Sequence, residues 1–363
     1  MGDGMTQQGE FYEAVAHAVR AQLPILFFIE DNAFAISTRT GGQTFFSRPD
    51  GDADSFYGIP ITHIDGRDTI ETLEKTGEAV SSVRSERKPA FVVFHSDRLS
   101  HHTNADDQRV YRTDEEIQAA WDTGDPIARL KQKLLEEGVP QEEFSQLEKE
   151  ITEMIRQEAK AAQLSPEPVA CYDAKKPLPK RLGDPKREYT GNEDQKEYTM
   201  LEALRETFRD RMEKDDRVSL FGEDIADPKG DVFGLTRGLG DQFPGRILNS
   251  PLSEASIVGI SVGRALAGGR PVGFLQFADF LPIAYNQIFA EMGSMYWRTD
   301  GGWQTPVILM VTTGGYKPGL GPFHASSMES VAAHVPGVDV FFPSSAGDAA
   351  GLLNAAFSSA RPT

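Results

Sequence analysis

Apolar positions in the first third of the chain alternate between two spacings. Over residues 10–23, Phe11, Ala14, Val15, Ala18, Val19 and Leu23 follow the i, i+3, i+4 pattern of an amphipathic helix. The unbroken apolar run 24–29 comes next and reads as a fully buried strand of a parallel sheet. The alternation then repeats: 61–64 predicts a short strand, 68–87 a helix with Asp68 as N-cap, and 89–94 another buried strand. Residues 114–164 are charged and helical, in two or more helices broken near Gly124-Asp125-Pro126 and Gly138-Val139-Pro140. Prolines and lysines then give 165–193 the composition of a linker. Beyond it the rhythm resumes, with helices over 198–213, 254–267, 281–298 and 346–359 and strands over 218–222, 271–277, 306–313 and 338–343. This predicts an α/β fold in two domains, 1–164 and 197–363, joined by 165–196.

Composition narrows the class. The 363 residues, 39% hydrophobic and 25% charged, are enough for two ordinary domains with sizeable cores. A formal net charge of −18 argues against nucleic acid and anionic membrane surfaces as partners. No long apolar window or signal-peptide pattern is present, which predicts a cytoplasmic protein. The single cysteine, Cys171, excludes an internal disulfide and a cysteine-based zinc cluster.

Two polar signals fall where strands and helices meet. Gly2-Asp3-Gly4 precedes the first helix, and Asp31-Asn32-Ala33-Phe34 follows the first strand. Open α/β sheets bind ligands beyond the carboxyl ends of their strands. Hard cations take oxygen ligands, and glycines let backbone approach a phosphate. Asp3 and Asn32 are therefore candidate ligands of a divalent cation.

In order and spacing these residues resemble the thiamine-diphosphate signature of the α subunit of 2-oxo acid dehydrogenases, the decarboxylating component of those complexes. The resemblance implies that Asp3, Asn32 and the Phe34 carbonyl bind Mg²⁺, and that Gly4 and Met5 also touch the cofactor. Asp31 departs from the pattern, standing where an asparagine is usual. The second half resembles the β subunit of the same enzymes. It carries Gly222-Glu223-Asp224, Leu235 to Leu239, Pro251-Leu252-Ser253-Glu254, Gln276 to Phe280, Gly321-Pro322-Phe323-His324 and His334-Val335-Pro336-Gly337 in family order. The implied fold is a pair of thiamine-diphosphate-binding-type parallel-sheet domains with helices on both faces, α and β subunits fused. The family's α subunit extends before Gly-Asp-Gly and its β subunit has a further C-terminal domain, so the resemblance also implies truncation at both ends.

The same resemblance distributes roles. Glu254 is the carboxylate that binds N1′ of the aminopyrimidine; taken alone, it is an acid at a helix N-terminus, where the macrodipole favours one. Gln276 and Phe280 pack the aminopyrimidine. His324, in a glycine-rich loop and able to exchange protons near neutral pH, helps handle the 2-oxo acid. His102, the second of an adjacent pair with His101, serves the diphosphate and the reacting lipoyl group. Adjacent side chains in an extended segment diverge, which disfavours a shared metal at that pair.

The implied activity is oxidative decarboxylation of a 2-oxo acid with reductive acyl transfer to a lipoylated acyltransferase component. His101-His102 and Asp106-Asp107 lean toward branched-chain substrates such as 3-methyl-2-oxobutanoate, whereas Gln8-Gly9 and Glu30 lean toward pyruvate. The fused chain is expected to form a homodimer equivalent to a heterotetramer. Rival readings are a non-catalytic assembly fragment of such an enzyme and a transketolase-like transferase.

Overall fold

A computed structural model describes residues 1–167, 197–315 and 318–363. Cys171 and most of the expected linker lie outside them. The chain forms two compact units, Met1–Cys171 and Tyr172–Thr363.

In the first unit a 3₁₀ turn, Asp3–Gln7, leads into α1 (Gly9–Arg20), whose stripe Phe11, Val15 and Ala18 is buried. Then come β1 (Leu26–Asp31), the short strands β2 (Phe34–Ala35), β3 (Thr38–Arg39), β4 (Ser47–Arg48), β5 (Gly51–Asp52) and β6 (Ser55–Phe56), and β7 (Ile59–Asp65). The helix α2 (Thr69–Glu86) starts where Asp68 accepts hydrogen bonds from the N–H groups of Ile70 and Glu71, as its N-cap reading predicts. It leads to β8 (Ala90–His95). The sheet runs β1-β8-β7-β6, parallel except for β6. Its core is aromatic, with Phe11, Phe27, Phe46 and Phe91 in one buried cluster.

β1 is not buried on both faces. Phe27, Ile29 and Asp31 point inward, but Phe28 and Glu30 are exposed. β1 ends the sheet order, and α2 lies mainly over β7 and β8, so the outer face of β1 stays largely uncovered. The helical region divides into α3 (Asp114–Gly124), α4 (Pro126–Glu136) and α5 (Gln141–Leu164). Asp125 ends the first and caps the second at Ile127, Pro126 takes the first helical position, and Pro140 precedes the third.

The second unit opens with α6 (Met200–Lys214), started by a capping box between Thr199 and Glu202. It continues through β9 (Val218–Glu223), α7 (Leu239–Gln242), β10 (Ile247–Ser250), α8 (Glu254–Leu266) and β11 (Arg270–Leu275). The last elements are α9 (Met295–Arg298), β12 (Ile308–Val311), α10 (Glu329–Ala333) and α11 (Ala346–Ser358). The sheet is wholly parallel, in the order β10-β9-β11-β12. Apolar clusters lie on both faces: Phe208, Leu220 and Phe274 in one, Phe221, Ile257 and Leu275 in the other.

Two expectations fail here. The single helix over 281–298 is instead a 3₁₀ segment, Ala278–Ala284, containing Pro282, then a π-helical turn, Gln287–Gly293, then α9. Pro282 has no N–H to give, and Gly293 packs so tightly that a Cβ there would lie 2.6 Å from the Pro336 carbonyl oxygen. The strand over 338–343 does not form. The edge of β12 is occupied instead by Thr363, whose carbonyl accepts from Leu309 N at 2.8 Å and whose N–H donates to Val307 O at 3.0 Å. The strand β10 had no expectation at all.

Candidate cofactor site

At the start of the first unit, the Glu30 N–H donates to the Met1 carbonyl at 2.8 Å, and Gly2 bridges Glu30 in parallel. Asp3 therefore lies one residue past the bridge and Asn32 two, both at the carboxyl edge of β1. Asp3 and Asn32 are half-buried, Gly4 and Met5 exposed, and the Phe34 side chain is buried. Asn32 Oδ1 accepts from Phe34 N at 3.1 Å, which fixes the turn into β2. A Cβ on Gly2 or Gly4 would meet no atom of the chain within 4 Å. These glycines thus leave open space beside Asp3 instead of serving internal packing.

Positive charge gathers around Phe34. The guanidinium carbons of Arg39, Arg98 and Arg112 lie 4.9, 5.3 and 5.1 Å from its ring centroid. Arg98 Nη1 donates to Ile36 O at 2.7 Å and Nη2 to the Tyr111 hydroxyl at 2.6 Å. That hydroxyl donates to Asp106 Oδ2 at 2.6 Å, which also accepts from His102 N at 2.8 Å. The hydrogen bond from Tyr111, then that from His102 N–H, holds the Asp106 carboxyl below its usual range. His102 itself is exposed, tied to this network through its backbone. The Nε atoms of Arg98 and Arg112 are buried without a hydrogen-bond partner. Three clustered guanidiniums supply positive charge that fits an anion such as a diphosphate, and the donor types of Asp3, Asn32 and a backbone carbonyl fit Mg²⁺.

In the second unit the chemistry also stands at strand ends. Glu223 closes β9, Glu254 opens α8, and Gln276 follows β11. Glu223 is 2% exposed, and its Oε1 has no hydrogen-bond partner. Burial, then the nearby charge of Glu254, pushes the Glu223 carboxyl up to about 7. The buried side chain of Gln276 donates to the Glu223 carbonyl and accepts from Val232 N at 3.4 Å. Burial also raises the Asp231 carboxyl, although it accepts from Val232 and Phe233 N–H groups.

Phe280 and His324 come together at the same end. The His324 ring meets Phe277 edge-on at 4.8 Å and Phe280 at 5.6 Å. Beside them, Asp279 accepts from Ser326 Oγ at 2.5 Å and from Ser326 N at 3.3 Å. Burial opposes ionisation of Asp279, but these bonds and the His324 charge outweigh it and hold the carboxyl low.

The sequence alone assigns no role to Glu223 or Arg98. The available signal was a carboxylate ending an apolar strand run, and an arginine opening the segment that holds His101-His102.

The second unit thus pairs a buried acid with a helix-terminal acid, and the first gathers three arginines around Phe34, two residues from Asn32. Residues 1–171 match the family described as dehydrogenase E1 component, and residues 196–363 match the transketolase pyrimidine binding domain. Both are thiamine-diphosphate-dependent domain types. One polypeptide thus carries an α-type E1 domain match followed by a β-type pyrimidine-binding domain match.

Among its relatives, 2-oxoisovalerate dehydrogenase subunit beta of Bacillus subtilis (strain 168) is 38% identical over 157 residues, 43% of this chain and 47% of the relative. Pyruvate dehydrogenase E1 component subunit beta of the same organism is 37% identical over 158 residues, with the same two coverages of 43% and 47%. The 3-methyl-2-oxobutanoate dehydrogenase subunit beta of Mycobacterium tuberculosis (strain ATCC 25618 / H37Rv) is 39% identical over 166 residues, 45% of this chain and 47% of the relative. The chain thus spans about half the length of these relatives. Among the described residues, no helix is long and apolar enough to cross a membrane.

Proposed function

We propose that this chain decarboxylates a 2-oxo acid with thiamine diphosphate and Mg²⁺ and passes the acyl group to a lipoyl domain. Bound thiamine diphosphate supplies the carbon nucleophile that adds to the oxo group and accepts the electron pair left by departing CO₂. The chain's own residues do the rest. Asp3, Asn32 and the Phe34 carbonyl hold the cation, while Gly4 and Met5 border it. Arg98, Arg112 and His102 face the diphosphate. Glu254 accepts a hydrogen bond at N1′ of the aminopyrimidine, against which Gln276 and Phe280 pack. His324 exchanges a proton with the 2-oxo acid.

The observation that carries this reading is the pair Glu223 and Glu254. A carboxylate meant to bind a protonated ring nitrogen must keep its charge while its surroundings stay dry. A neighbouring acid that holds its proton to about pH 7 lets Glu254 carry that charge without a second one beside it. Branched-chain acids such as 3-methyl-2-oxobutanoate come first as substrates, on His101-His102 and Asp106-Asp107; pyruvate is the alternative. The functional form is a homodimer of the fused chain, docking a lipoylated acyltransferase. The cation and diphosphate ligands are assigned to 1–164 and the pyrimidine ligands to 197–363.

The test uses the purified chain with thiamine diphosphate, Mg²⁺ and an artificial electron acceptor. Oxidation of 3-methyl-2-oxobutanoate faster than pyruvate, lost at least a hundredfold in Glu254→Gln, is the expected result. Failure to bind thiamine diphosphate would leave only an assembly role. Turnover of sugar phosphates would replace the reading with a transketolase-like one.

A further inference from the structure

Two histidines close the carboxyl end of the first sheet. His63 lies on β7 and His95 ends β8. The register pairs His63 with Val93 and Asp65 with His95, so both histidines point to one face, two residues apart. Their rings are nearly parallel, 7° apart, with centroids separated by 5.1 Å. His63 Nδ1 approaches His95 Nε2 to 2.8 Å.

The far nitrogens decide what that approach means. His63 Nε2 lies 3.0 Å from the Ala53 carbonyl oxygen, which can only accept, so this nitrogen carries a hydrogen. His95 Nδ1 faces Asp31 Oδ2 at 3.8 Å. The Asp31 carboxylate is held by Ala33 N at 3.0 Å and Thr40 Oγ1 at 2.8 Å, both on Oδ1. With the His63 hydrogen on Nε2, the 2.8 Å approach is a hydrogen bond donated by His95 Nε2 to His63 Nδ1. A cation that replaces this hydrogen leaves both near nitrogens as ligands. Asp52, on β5 and next to Ala53, completes the group: one ligand atom each from Asp52, His63 and His95 lie within 4.8 Å of one another.

We propose that Asp52, His63 and His95 bind a divalent transition-metal ion of the Zn²⁺ kind. Two imidazoles and a carboxylate are a zinc-type donor set, whereas Mg²⁺ prefers oxygen throughout. His63 has the outer carbonyl partner that metal-bound histidines use, and the Asp31 carboxylate stands 3.8 Å from the outer nitrogen of His95. Tetrahedral binding with Zn–N of about 2.0–2.1 Å needs the two nitrogens about 3.3 Å apart, a parting of about 0.5 Å. Both histidines are half-buried and Asp52 is exposed, which leaves a path for the ion and a fourth position for water or a ligand. The site also accounts for an acid at position 31: a carboxylate there orients His95, and a neutral amide would do so less strongly. Asp31 is thus a positioning residue, distinct from the neighbouring Asn32.

The test uses the full chain, stripped with a chelator and dialysed into excess Mg²⁺ to occupy oxygen sites. Zn²⁺ is titrated by calorimetry, and Co²⁺ by its visible absorption. One equivalent of Zn²⁺ that Mg²⁺ does not displace, and a tetrahedral Co²⁺ spectrum, are expected. His63→Gln and His95→Gln should each weaken Zn²⁺ binding at least a hundredfold, and Asp31→Asn about 10- to 100-fold. Circular dichroism checks that the variants fold, and the Co²⁺ spectrum of the unaltered chain tests the site without any substitution. The proposal is overturned if that spectrum lacks imidazole ligation, if His101→Gln alone abolishes binding, or if NMR shows only a proton shared by His63 and His95 in saturating Zn²⁺.

Discussion

Replacing Glu223 with glutamine removes one buried charge while keeping its shape, and the structure sets both the sign and the size of the result. A carboxyl raised from 4.5 to about 7 binds its proton more tightly folded than unfolded. Its ionised form therefore penalises folding, not at all below about pH 4.5 and fully above about pH 7. The full penalty is about 3 kcal/mol, and because Glu223 is 2% exposed, solvent screens little of it. At pH 5.5 about 1.4 kcal/mol should already be lost, and at pH 8 about 3 kcal/mol. Relative to wild type, the stability of Glu223→Gln should thus improve by about 2 kcal/mol between these pH values. Denaturant unfolding followed by tryptophan fluorescence reads this out. In a Trp121→Phe background the remaining tryptophans, Trp297 and Trp303, report the second unit alone. A gap that stays constant with pH, or a wild type that gains on the variant as pH rises, would refute the argument that Glu223 is buried beside a charged Glu254.

Two further substitutions test other parts of the structure. Gly337→Ala puts a Cβ at a φ of +86° and into the Gly293 carbonyl oxygen, and should destabilise the chain by about 2–4 kcal/mol. A thermal melt that shows a loss below about 1 kcal/mol would mean that the close passage of Gly293 and Gly337 is wrongly described. Arg98→Met removes the bonds to Ile36 and Tyr111 along with a charge facing the proposed diphosphate. It should weaken thiamine diphosphate binding by about 1.5–3 kcal/mol, measured by fluorescence titration, while thiamine itself is little affected. Equal losses for the two ligands would remove Arg98 from the diphosphate site.

Much of the fold was legible because local signals agreed with tertiary demands. Asp68 caps α2, Thr199 boxes α6, and the breaks at Pro126 and Pro140 fall where expected, since each depends on a few adjacent residues. The misses depend on contacts distant in sequence. Nothing within 338–343 reveals that Thr363 occupies the edge it would join, and nothing around Phe28 reveals how far α2 reaches. The site divides in the same way. Asp3, Asn32, Glu254 and His324 stand out in their own motifs, but Glu223 acquires its raised value chiefly from burial and from an acid 31 residues away. His63 and His95 are separated by 32 residues and become a pair only through strand register.

Asn32, His95, Glu223 and Gln276 share one placement: each sits at, or one residue beyond, the carboxyl end of a strand. The hydrogen-bond ladders are complete behind them. Inherited change at these tips can therefore alter or abolish the chemistry without disturbing strand order. A lineage could lose the proposed reaction and keep both sheets, so descent would remain readable in the scaffold after the candidate site residues had drifted away.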